Sequence, residues 1–102
     1  MAVPIYNYQA GSSAKNLIEL TGKCWENTVV GFLCAAGGSG SLMSVMSMAN
    51  SLMLDFRSFI IPRFVYTPGN EIDPNDQIDG ELVRRIEQLT QELARVTKAL
   101  ID

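Results

Sequence analysis

Hydrophobic and polar positions fall in blocks along the chain. From Ala14 onward, Leu17, Leu20 and Cys24, with Ile18 and Trp25, recur at spacings of three, four and seven, while Lys15, Glu19, Lys23 and Glu26 share another face. That period predicts an amphipathic helix, which Ser12 or Ser13 can cap. Charge then disappears: no Asp, Glu, Lys or Arg occurs between Glu26 and Asp55. A bilayer span needs about 20 mostly apolar residues, so this run is long enough for one.

Gly37, Gly38 and Gly40, with Ser39 and Ser41, interrupt the run, and each Gly costs an exposed helix roughly 1 kcal/mol relative to Ala. Two structures satisfy the pattern. One helix can continue through the glycines, as lipid allows because broken backbone hydrogen bonds are so costly there. Alternatively, 37–41 is a turn joining helices over about 13–36 and 41–61. Ala36, Gly37, Gly40, Ser41, Ser44, Ser47 and Ser51 recur at four-residue spacing, which predicts a face of small residues for close helix packing. Trp25 before the run, and Arg57, Phe59, Arg63, Phe64 and Tyr66 after it, are the aromatic and Arg residues expected at a membrane boundary.

Beyond Pro62 and the Pro68–Gly69 turn signal, residues 67–79 carry four acids and no base, a solvated linker ending in Asp79 as a helix cap. Leu82, Ile86, Leu89, Leu93, Val96 and Leu100 then alternate steps of four and three, a heptad seam that predicts a coiled-coil helix. The e and g positions carry no charge code, so self-association, an unlike partner and folding back all remain open. Residues 1–11 hold Pro4, two Tyr and no charge, as expected of an extended arm.

The predicted fold class is all-α and elongated, without an independent globular core. It comprises an arm over 1–11, an apolar helical segment over 12–61, a Pro and acidic linker over 62–79, and a coiled-coil helix over 80–102.

Composition narrows the function. The 102 residues include no His and only 2 Cys, and the net charge is −3, which gives no basic stripe for nucleic acid. Cys24 and Cys34 lack metal-ligand spacing, and the glycine cluster lacks the Lys of a phosphate loop. With no His and no acid in the run, general acid–base work has no candidate. The expectation is a non-catalytic assembly subunit of a membrane complex, with neither cofactor, metal nor small-molecule substrate. Its partners are proteins at the heptad helix and lipid or neighbouring apolar helices. A structural protein of a virion, phage tail or filament, and a small pore former, are the alternatives.

Overall fold

The computed structural model describes residues 1–69, 75 and 78–101. It is an α/β fold, not an all-α one. Among the described residues, six strands and three helices follow in the order β1 (Ala2–Tyr6), β2 (Gln9–Ala10), α1 (Ser12–Thr21), β3 (Val29–Val30), β4 (Leu33–Ala36), α2 (Met46–Phe56), β5 (Phe59–Ile60), β6 (Val65–Pro68) and α3 (Gly80–Leu100). A 3-10 turn, Gly22–Trp25, ends α1.

The uncharged run is therefore strand, loop and helix. Parallel strands covered on both faces read as continuous apolar stretches, with no alternation to separate them from a buried helix. β1 pairs parallel with β4, β4 parallel with β6, and β2 lies antiparallel on the outer side of β1, giving the order β2-β1-β4-β6. β3 and β5 pair parallel just upstream of β4 and β6. The break between the two pairs has a local cause. Ile61–Phe64 intervene on one side but only Gly31 and Phe32 on the other, and Pro62 cannot donate to a ladder. Ile61 N–H to Val30 O at 2.9 Å and Val65 N–H to Phe32 O at 3.0 Å carry the pairing across it.

Helices cover both faces, as a parallel sheet requires. Ala14 and Ile18 of α1 and Met48, Ala49 and Leu52 of α2 pack with Val3, Ile5, Val30, Phe32, Cys34 and Tyr66. On the other face, Leu82 and Leu89 of α3 pack with Ile61 and Val65, joined by Val29, Leu33, Ile86, Leu93 and Val96. The heptad seam is thus covered by the chain's own sheet. That overturns the coiled-coil expectation, and Leu100, the seam's last member, is exposed. α3 sits close because position 31 is Gly: a Cβ there would stand 2.9 Å from Leu89 Cδ1.

Two further expectations fall with the fold. Among the described residues no helix is long and apolar enough to cross a membrane, because the uncharged run is divided between strands and an 11-residue helix. Nor does the chain lack a core of its own: buried clusters lie on both faces of the sheet, and the radius of gyration is 14.1 Å, near the roughly 13 Å of a compact 100-residue domain. Of the expected acidic linker, 70–74 and 76–77 lie outside the described residues, as does Asp102.

Candidate functional site

Three parallel strands, β1, β4 and β6, end on one edge of the sheet. In open α/β sheets, ligands bind outside the carboxyl ends of the strands, and two residues at positive φ, Asn7 and Tyr8, stand at that edge.

At the tip of β1, Asn7 and Tyr8 form a two-residue hairpin into β2, between the paired residues Tyr6 and Gln9. Both sit at positive φ, 50° and 65°, as the tight I′ hairpin turn demands. A Tyr held there is unusual, because a side chain with a Cβ is disfavoured in the left-handed region. The turn leaves Tyr6 66% and Tyr8 55% exposed, two rings presented at the strand's end. Gly11 then closes the hairpin, its N–H donating to Pro4 O at 2.7 Å.

At the tip of β4, Gly37–Ser41 leads into α2. A Cβ added at Gly37, Gly38 or Gly40 meets nothing within 4 Å, so the loop has open space beside it. The hydroxyl of Tyr66, from β6, donates to Gly38 O and ties the loop to the neighbouring strand. α2 begins without a side-chain cap, its N-cap being Val45; the Met46 N–H donates to Met43 O at 3.1 Å, and the positive end of the helix dipole still faces the loop. Just before it, the Ser44 hydroxyl is buried without a hydrogen-bond partner among the described residues. At the tip of β6, Gly69 lies against the β4 end: a Cβ there would be 3.7 Å from Gly37 O.

The residues expected to form a small-residue helix face come together in part, around this loop. Ala36 ends β4, Gly37, Gly40 and Ser41 belong to the loop, and Ser44 lies in the turn before α2. Ser47 and Ser51, on exposed positions of α2, line a cavity of about 130 Å³ with Gln9, Lys15 and Met48.

The expected boundary anchors share no level. Trp25 Nε1 donates to Thr21 Oγ1 at 2.6 Å. Arg57 ends α2 in the left-handed region and pairs with Glu26 at 3.6 Å. Phe59 lies half-exposed in β5, and Phe64 packs at the margin of the core. Arg63 reaches Gln88 of α3 at 3.0 Å, while Tyr66 is buried in the sheet.

Among the described residues no cluster of His, Cys, Asp or Glu could hold a metal ion. Cys34, buried in β4, is pushed up to about 11 by burial, which makes it a packed thiol and not a nucleophile. A cavity of about 790 Å³ lies between Met1, Ala2, Trp25 and Val29, beside the amino ends of the strands and away from the glycine loop.

Tyr6, Asn7 and Tyr8 are absent from the sites expected from sequence, and Gly38 figures there only as part of the break in the apolar run. The signal for Gly38 is an apolar stretch, Leu33–Ala36, running straight into glycines and then a helix.

The family model for NADPH-dependent FMN reductase matches residues 1–71, from β1 to just past β6, and the chain belongs to that family. No curated protein matches it. The family overturns the expectation of a non-catalytic structural subunit, and with it the virion, filament and pore-former alternatives, because its members are described as oxidoreductases of a flavin. It also conflicts with the expected lack of a small-molecule substrate, since FMN and NADPH are small molecules. The absence of His misled for a physical reason: in flavin enzymes the cofactor carries the redox chemistry, and the protein supplies binding and orientation.

Proposed function

We propose that this chain binds FMN at the carboxyl edge of its sheet and serves its reduction by NADPH. The observation that carries the reading is the coincidence of the family match over 1–71 with a glycine loop that opens onto space at the ends of β1 and β4. The residues fit the ring system of a flavin. Exposed Tyr6 and Tyr8 offer flat apolar surfaces against which a planar ring can rest. Gly37, Gly38 and Gly40 let main-chain amides approach a ligand closely, and the uncapped start of α2 favours electron-rich acceptors. The unpartnered hydroxyl of Ser44 is a further polar group at the base of this loop.

A bound flavin supplies a two-electron acceptor for the hydride of NADPH. The chain's part is to hold the ring, to keep water from one side of it, and to leave the other side reachable by the nicotinamide. Titration of the purified protein with FMN, followed by flavin fluorescence, should show a saturable change, and NADPH should be consumed when FMN is present. Tyr6→Ala should weaken FMN binding several-fold. A wild-type titration with no saturable change would remove the reading.

A further inference from the structure

The glycine loop raises a question of order. Three glycines within 37–40 have more backbone freedom to lose than other residues, and the loop has no large side chains to pack. Something must fix its shape. The hydrogen bond from the Tyr66 hydroxyl to Gly38 O does so from the neighbouring strand. Tyr66 is itself held firmly. It is 5% exposed, it lies directly across from Cys34 in the β4–β6 ladder, and its ring belongs to the core packed against α1 and α2. Its carbonyl accepts from Arg85 Nη1 of α3 at 3.2 Å. The phenol is therefore a rigid strut, anchored in the core and on α3, whose polar tip meets the loop.

We propose that Tyr66 is the positioning residue of this site: its hydroxyl holds the Gly37–Gly40 loop in the shape that receives a ligand, while its ring serves the core. The affinity arm of this inference rests on the flavin reading above. The strut itself does not.

Tyr66→Phe separates the two roles, because it removes the hydroxyl and keeps the ring. Gly38 is exposed, so its freed carbonyl turns to water and folding loses little. In the full chain, amide hydrogen exchange at Ser44 and Met46, whose N–H groups donate to Ser41 O and Met43 O in the turns that continue the loop, should accelerate in Tyr66→Phe, with the melting temperature unchanged within about 2 °C. FMN should bind about 3- to 10-fold more weakly, the range that one net hydrogen bond spans. A purely structural role predicts the reverse: a lowered melting temperature with exchange spread over the sheet. Unchanged exchange at Ser44 and Met46 overturns the strut whatever FMN does. Faster exchange there with unchanged FMN affinity overturns its role in binding. If wild-type protein fails to bind FMN while the variant's loop still exchanges faster, the flavin reading falls and the strut stands.

Discussion

Gly31 and the glycines of the 37–40 loop are the same residue a few positions apart, in opposite surroundings. At Gly31 the space is filled, since a side chain would run into Leu89 of α3 2.9 Å away. At Gly37, Gly38 and Gly40 the space is open to 4 Å and beyond. The first glycine lets two parts of the chain touch, and the others leave room that the chain does not use. The contrast tells a sealed face of the sheet from a receptive edge, and it locates the candidate site without reference to any catalytic side chain.

The contrast can be broken from its sealed side, where the largest effects lie. Leu89→Ala should cost about 2–5 kcal/mol of stability by urea unfolding, as buried Leu truncations do. Gly31→Ala should cost about 1–3 kcal/mol, because the added methyl overpacks the contact. The two changes concern one volume, so the double variant should lie well below their sum. Strict additivity would mean that Leu89 does not fill the space over Gly31.

Alkaline pH reads the same interior through another group. Burial raises the Cys34 thiol from 9.0 to about 11. A folded value above the unfolded one means that the stabilisation is fully present below pH 9 and is lost as pH rises through 11. Wild-type stability should therefore fall across that window, and Cys34→Ala should flatten the fall. Equal slopes in the two proteins would show that the thiol is hydrated in the folded state.

Legibility in the sequence divides along the same line. α3 was readable as a helix because six apolar residues keep one stripe and Asp79 caps it, its carboxylate accepting from Glu81 N–H at 3.4 Å. What the stripe faces was not readable, since an apolar stripe fits a second helix and a sheet equally well. The start of α1 falls where the serines stand, but neither serine caps it, since the N-cap is Gly11 and no side chain bonds to the first turn. The strands were hidden, because β3 and β5 have two residues each and buried parallel strands lack the alternation that identifies a half-exposed one. The loop at 37–41 was visible as a break, but its meaning depended on β4 preceding it. The aromatic ring of Tyr66, after an uncharged run, points by pattern alone to a membrane boundary. Its hydrogen bond to Gly38, 28 residues away, is a product of the β4–β6 register, and no local pattern encodes it.

The smallest effect on stability sharpens the comparison most. None of the loop glycines has positive φ, Gly22 being the one described glycine that does, at 38°. An alanine at Gly37 therefore meets neither a neighbour nor a forbidden backbone region. Such a replacement restricts the unfolded chain and, where the native conformation accepts it, stabilises by about 0.4–1 kcal/mol. Gly37→Ala should accordingly unfold at the same urea concentration as wild type or slightly higher. Its methyl group nevertheless enters the space beside the loop, so FMN affinity should drop several-fold. Stability and binding then move in opposite directions at Gly37, whereas at Gly31 the main change is in stability. A clear loss of stability in Gly37→Ala would place both glycines in the same class and dissolve the distinction between sealed face and receptive edge. Unaltered FMN binding would show that the open space over the loop is not where the ligand sits.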